Sequence, residues 1–166
     1  IITNLKTQGG GSSVQTLHWI NGLKYLGIRV GIIVDLSVKD LHTNSQIDLI
    51  RSFNYKYSFF PFNWIFHRFY HLNRSINIYK PDFVYQSGAG FITFILAFIC
   101  NRNGIRFIHR IANDVDIDSR IKSRLTFVKR FFYNQGLKLS NVIFCQNDYQ
   151  YELLKKRFPK TRIKKI

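Results

Sequence analysis

Apolar runs alternate with amphipathic stretches along most of this chain, and glycines or prolines stand between many of them. Residues 30–34, Val-Gly-Ile-Ile-Val, are apolar throughout, as expected of a parallel strand covered on both faces. Residues 82–86, 105–111 and 141–145 also read as strands, and residues 162–166 begin one more. Between them the apolar positions recur at helical spacing. Val14, Leu17, Ile20 and Leu23 or Leu26 mark a helix over residues 12–26 that Ser12 or Ser13 can cap, and Gly27 is placed to end it in a left-handed conformation. Further helices are predicted over residues 63–78, 91–103, 122–139 and 148–158, with Gly104 closing the third of these five. Residues 36–56 are polar and carry little pattern; a short helix is expected over 48–53 and a strand over 55–59. Pro81 breaks the chain between a helix and a strand. Strands alternating with helices of about a dozen residues specify an α/β fold, a Rossmann-like parallel sheet with helices on both faces.

The length of 166 residues suits a single domain over residues 1–166. No linker, internal repeat or low-complexity segment divides it. Apolar residues make up 46% of the chain, which excludes a disordered segment. The longest apolar run, residues 91–100, is about half of what crosses a bilayer, so it reads as a buried helix. Cys100 and Cys145 lie in apolar stretches without metal-binding spacing and read as reduced core thiols in a cytosolic protein. The chain holds no methionine and its first apolar stub looks clipped, so it is expected to be a fragment.

Charge adds a second theme. Twenty-five bases against nine acids give a formal net charge of +16, which implies an anionic partner: a membrane surface, a phosphorylated substrate or nucleic acid. Part of the lysine content matches the Ile, Asn, Lys, Phe and Tyr bias of AT-rich codons. The last twelve residues hold seven bases and no acid; they read as a patch for anionic lipid or as a solvated helix face and a lysine-guarded edge strand. The aromatic stretch Phe59, Phe60, Phe62, Trp64, Phe66, Phe69 and Tyr70 reads as core packing, with a lipid-headgroup surface as the competing reading. A nucleic-acid-binding α/β module is the alternative class, but the bases are scattered and no recognition motif accompanies them.

The candidate chemistry begins at Gly9-Gly10-Gly11-Ser12, which opens the first helix. Gly10, Gly11 and Ser12 allow a diphosphate or a reacting sugar to approach the backbone, at a helix end whose dipole favours anions; a simple tight turn is the alternative. The dinucleotide fingerprint is not met, because Val14 stands where its third glycine belongs, so a nicotinamide-dependent dehydrogenase is disfavoured. Residues 87–90, Ser-Gly-Ala-Gly, form a second small-residue turn. His109, toward the carboxyl end of a strand, reads either as a cleft group that contacts a sugar or as a core histidine. Arg110 can bind phosphate bidentately, and Asn113 and Asp114 can orient it or accept from a sugar hydroxyl; a solvated loop of local Arg–Asp pairs competes, and is preferred for Asp116 and Asp118. His67 and His71 share a helix face, yet position 68 is Arg and no third ligand is evident, so no metal site is expected. The acidic cluster follows a late strand, which argues against a response-regulator phospho-acceptor pocket.

Several segments together resemble a known family. The glycine-rich turn with its helix, Gly27-Ile28-Arg29-Val30, Lys80-Pro81-Asp82-Phe83-Val84-Tyr85, Gly104-Ile105-Arg106-Phe107-Ile108-His109-Arg110, Leu139-Ser140-Asn141-Val142-Ile143 and Ile163-Lys164-Lys165-Ile166 stand in the order and spacing of the N-terminal half of a family 4 glycosyltransferase. The resemblance covers nearly the whole chain. It implies a GT-B fold and a retaining transfer of sugar from a nucleotide diphosphate donor to a glycan or lipid-linked acceptor. It implies no other cofactor, and a place on the cytoplasmic side of a membrane in polysaccharide biosynthesis. The N-terminal half shapes the acceptor side in such enzymes; the donor-gripping C-terminal half, with its pair of glutamates, lies outside this sequence, whose one glutamate is Glu152. A fragment of this kind is expected to be inactive alone. The resemblance makes His109 a catalytic candidate and Gly10, Gly11, Ser12, Arg110, Asn113 and Asp114 substrate-binding candidates, with the triglycine bend and the tip of the His109 strand opening on one pocket.

Overall fold

In the computed structural model the described residues are 11–35, 47–53 and 61–166. They divide into two compact units, Ile1–Lys80 and Pro81–Ile166. The N-terminal unit runs α1 (Gly11–Tyr25), β1 (Val30–Asp35), β2 (Ile47–Phe53) and α2 (Pro61–Tyr79). The C-terminal unit runs β3 (Phe83–Ser87), α3 (Phe91–Arg102), β4 (Arg106–Arg110), a 3-10 turn (Asp114–Asp116), α4 (Ile121–Arg124), α5 (Phe127–Leu139), β5 (Val142–Cys145), α6 (Asp148–Arg157) and β6 (Ile163–Lys165). Among the described residues every strand pairing is parallel: β1 with β2, and β3-β4-β5-β6 in sequence order. The architecture is α/β and Rossmann-like, parallel sheets flanked by helices.

Two of the predicted glycine stops act as expected. Gly27 (φ 73°) and Gly104 (φ 69°) both take the left-handed conformation. Each closes its helix with paired bonds, Ile28 N to Leu23 O and Gly27 N to Lys24 O after α1, Ile105 N to Cys100 O and Gly104 N to Asn101 O after α3. This double closure satisfies carbonyls that a helix end otherwise leaves open. Ser12 and Ser13 lie inside the first turn of α1 rather than before it.

Two further expectations need correction. Residues 48–53 form strand β2 instead of a short helix, because Ile47 to Ile50 align with Val30 to Ile33 and satisfy the backbone across the sheet. The predicted helix over 122–139 is two helices. Leu125 leaves α4 in an extended conformation, and Thr126 stands as the N-cap residue of α5 (φ −56°, ψ 159°). The strand expected over 55–59 falls outside the described residues.

The C-terminal core gathers Ile111, Ile117, Ile121, Leu137, Ile143 and Leu154, all 3% exposed or less. Each such side chain contributes roughly 2 kcal/mol by leaving water. Helices α3 and α5 approach closely at Gly136, where a Cβ would stand 2.8 Å from the backbone nitrogen of Phe94. Beside this crossing Phe132 packs on Phe91 and Phe94 (ring centroids 4.8 and 5.0 Å). Among the described residues of the N-terminal unit, Ile20, Val30, Ile32 and Val34 form a buried cluster. Cys100 and Cys145 are free and buried. Burial pushes the Cys100 thiol up to about 12 and raises Cys145 as well, so neither is a ready nucleophile. No helix among the described residues is long and apolar enough to cross a membrane.

Candidate functional site

The parallel register places the carboxyl ends of β3, β4 and β5 side by side, with Ser87 opposite Arg110 and Arg110 opposite Phe144. Open α/β sheets bind ligands at this edge, where loops leave the strands and helix N-termini face outward. Three loops meet here. The Gly88–Gly90 turn leads into α3, residues 111–113 lead into the 3-10 turn, and Gln146-Asn147 leads into α6. They are joined by backbone and side-chain bonds. Gly88 N donates to Arg110 O at 3.2 Å, and Ile111 N to Phe144 O at 2.9 Å. The Gln146 amide donates to the carbonyls of Ile111 and Ala112 at 3.0 and 2.8 Å.

Asp114 is the hinge of this edge. Its Oδ1 accepts from Asn147 Nδ2 at 3.2 Å and from Gln150 Nε2 at 2.8 Å, binding the loop after β4 to the first turn of α6. Asn147 in turn caps α6, its side chain accepting from Gln150 N at 2.8 Å. Asn113 turns inward to the 3-10 segment, its backbone N–H donating to Asp116 Oδ2 at 3.1 Å. Burial raises the Asp116 carboxyl above the usual carboxylate range against that bond and the Arg124 guanidinium, 3.1 Å away. Asp118 pairs with exposed Arg120 at 2.5 Å, and that bond holds its carboxyl low.

Beneath the edge lies a buried polar chain. His109 is fully buried on β4, opposite Gln86 on β3. Its Nδ1 lies 2.7 Å from Gln86 Oε1, and its Nε2 lies 3.3 Å from the Tyr133 hydroxyl on α5. Thr93 Oγ1 also donates to Gln86 Oε1 at 3.0 Å. The Gln86 amide nitrogen donates to the carbonyls of Ser87 and Gly88, at 2.9 and 2.8 Å. With that amide orientation Oε1 can only accept, so the imidazole proton sits on Nδ1 and Tyr133 donates to Nε2. Burial alone drives the His109 pKa down to about 3, which keeps the ring neutral. The setting is that of a core histidine, joined through Gln86 to the glycine turn at the sheet edge. Arg110, also buried, lies near Tyr85, whose phenol burial raises and whose neighbouring guanidinium opposes the rise.

His109, Arg110, Asn113 and Asp114 therefore belong to one stretch of the C-terminal unit. Gly11 and Ser12 open α1 in the N-terminal unit, and Gly10, with the expected convergence of its bend on the His109 strand, lies outside the described residues. Sequence reasoning passed over Gln86, Gln146, Asn147 and Gln150. The one available signal was Asn147 directly before Asp148, an N-cap residue at a strand-to-helix junction. On α2 the rings of His67 and His71 meet at a tilt of 52° with centroids 4.2 Å apart, and burial, followed by the neighbouring His67 and Arg74, lowers the His71 pKa. No cluster of three or more potential metal ligands forms among the described residues.

No family model matches the chain, and no curated protein matches it. Solved structures do. Sucrose-phosphate synthase from Thermosynechococcus elongatus superposes with a TM-score of 0.56 at 11% identity, over 90% of this chain and 81% of that one. UGT89C1 of Arabidopsis thaliana in complex with UDP gives 0.55 at 16% identity, and its complex with UDP-L-rhamnose 0.51 at 17%; both alignments cover 93% of this chain and 45% of that one. At these identities the likeness is one of fold, the Rossmann-like half of a GT-B architecture. The chain spans less than half the length of the Arabidopsis protein.

Proposed function

We propose that this chain is the acceptor-side domain of a GT-B glycosyltransferase of the family 4 type, which performs a retaining sugar transfer from a nucleotide diphosphate donor to a glycan or lipid-linked acceptor. The observation that carries the reading is the fold likeness over nine-tenths of the chain, which includes a protein solved with UDP and with UDP-L-rhamnose. The ordered motifs of the sequence point the same way. In this reading Gly10, Gly11 and Ser12 present backbone N–H groups to the substrate. Arg110, Asn113 and Asp114 form the wall at the carboxyl edge of the C-terminal sheet. His109 acts as a positioning residue: its ring holds Gln86, and Gln86 holds the carbonyls of Ser87 and Gly88.

The donor is gripped by a second domain beyond this sequence, so the 166-residue chain alone turns over no sugar. The natural setting is the cytoplasmic face of a membrane, where a lipid-linked acceptor would be presented. The test is nucleotide release by the full-length protein from a panel of nucleotide diphosphate sugars, with and without a lipid-linked acceptor. Acceptor-dependent release from at least one donor is expected. No release from any donor, combined with tight and salt-sensitive binding of single-stranded DNA, would favour a nucleic-acid-binding module instead.

A further inference from the structure

Helix α5 has an outward face of the wrong chemistry for water. Its buried side is set by Tyr133, Gly136 and Leu137. At 100° per residue the opposite side carries Phe127, Val128 and Phe131, which are 73%, 59% and 50% exposed. A surface helix normally places charge there, and neighbouring exposed aromatics on a helix mark an interaction surface.

The surroundings of this face are basic. From Ser119 to Asn147 the chain contains no acid and six bases: Arg120, Lys122, Arg124, Lys129, Arg130 and Lys138. Arg120 and Arg124 are engaged with Asp118 and Asp116, and the Arg130 guanidinium sits 5.7 Å over the Phe127 ring. Lys122 on α4 and Lys129 in the first turn of α5 are exposed. Ile121 is buried and Leu125 packs against the C-terminal core, so the corner between α4 and α5 is anchored from below.

Topology fixes which end of the sheet this corner occupies. Strands β4 and β5 are parallel, so the connection between them leaves β4 at its carboxyl end and α5 carries the chain back toward the start of β5. The exposed phenylalanines begin that return and therefore lie toward the end of the sheet that carries Arg110, Asn113 and Asp114.

We propose that the α4–α5 corner is a membrane-docking surface, on which Phe127, Val128 and Phe131 enter the headgroup–acyl boundary while Lys122, Lys129 and Arg130 meet anionic lipid headgroups. An apolar ridge with the Arg130 guanidinium over its first ring, in a stretch of chain that carries bases and no acid, matches that boundary on both counts. An aliphatic Val128 on the ridge offers no stacking surface to a nucleobase, which favours lipid over a polynucleotide. Docking here sets the carboxyl edge of the C-terminal sheet beside the membrane. What docking is for rests on the sugar-transfer reading above; the attachment itself does not.

The experiment is vesicle sedimentation of the full-length protein with phosphatidylglycerol and phosphatidylcholine in a one-to-two ratio, and with phosphatidylcholine alone. Binding to the anionic vesicles is expected, with a drop of about tenfold in Phe127→Ser/Phe131→Ser and in Lys122→Gln/Lys129→Gln. The control Lys155→Gln/Lys156→Gln, which removes equal charge from α6, is expected to keep most of the binding. All substituted positions are exposed, and circular dichroism checks that each variant is folded. Binding by the phenylalanine variant equal to the unaltered protein, or equal loss in the α6 control, overturns the proposal. So does concentration-dependent self-association that the phenylalanine variant abolishes without any vesicle binding, or tighter binding to an oligonucleotide than to the vesicles. Transfer to a soluble acceptor, measured on the same samples, separates the two readings: transfer without vesicle binding sinks only the docking surface, and vesicle binding without transfer sinks only the sugar-transfer assignment.

Discussion

Each unit of the protein joins two polar side chains at neighbouring strands to a tyrosine from a helix, and the two trios have opposite surroundings. In the N-terminal unit Arg29 Nε donates to Asp48 Oδ2 at 2.7 Å, and the Tyr79 hydroxyl donates to the same oxygen at 3.2 Å. Both charged groups are open to solvent. In the C-terminal unit Gln86, His109 and Tyr133 make a similar chain with no exposure at the histidine or the tyrosine. The first exchanges water for a partner and gains little, because solvent screens it. The second cannot fall back on water, so the loss of any member leaves another unsatisfied. Bonding pattern alone does not decide what a polar trio contributes; burial does.

The largest expected effect comes from His109→Ala. It opens a cavity, frees Tyr133 and takes one partner from Gln86, and about 3 kcal/mol of unfolding free energy should disappear in a denaturant titration. A loss well under half of that would mean the C-terminal trio behaves like the N-terminal one. The same ring predicts a pH dependence. Its folded pKa, about 3, lies below the unfolded value of 6.5, so the unfolded chain binds the proton first. Stability is then complete above pH 6.5, falls as the pH drops from 6.5 toward 3, and stops falling from this source below 3. His109→Ala should flatten that part of the profile, and an unchanged profile would refute the assignment.

Two glycines extend the contrast to packing. A Cβ at Gly136 meets the Phe94 backbone at 2.8 Å, whereas one at Gly31 meets the ring of Tyr79 at 2.8 Å and the tip of Ile50 at 2.9 Å. Backbone cannot yield as side-chain ends do. Gly136→Ala should cost about 2 kcal/mol and Gly31→Ala visibly less, read as midpoint shifts in thermal melts. Equal shifts would show that the α3–α5 crossing can spread. Tyr133→Phe, which removes only the 3.3 Å bond to His109, should cost about 1 kcal/mol. Smallest of all, Asp48→Asn should leave the denaturation midpoint within experimental error. A clear loss there would place the Arg29–Asp48–Tyr79 trio closer to its buried counterpart than its exposure allows.

Elements whose cause is local were readable in advance. The apolar runs at residues 30–34 and 141–145 became β1 and β5, and the glycines at 27 and 104 ended their helices, because a left-handed turn needs no distant partner. Residues 47–53 were not readable. Ile47, Leu49, Ile50 and Phe53 fit helical spacing as well as a strand, and only pairing with β1 selects between them. The break at Leu125 carries no proline or glycine; it follows from Ile121 and Leu125 reaching the core before α5 begins. Of the site, the sequence marked Arg110, Asn113 and Asp114 but not the partners Gln146, Asn147 and Gln150, which lie more than thirty residues from the groups they hold.

By itself the sequence determined the alternation of strands and helices, the basic charge and the helix stops, since these depend on periodicity and on the conformational range of single residues. Only the tertiary structure decided that His109 faces Gln86 and Tyr133 in the interior and that Phe127, Val128 and Phe131 face outward. A strand residue has two faces and a helix residue many. Which of them meets water is fixed by the elements packed around it.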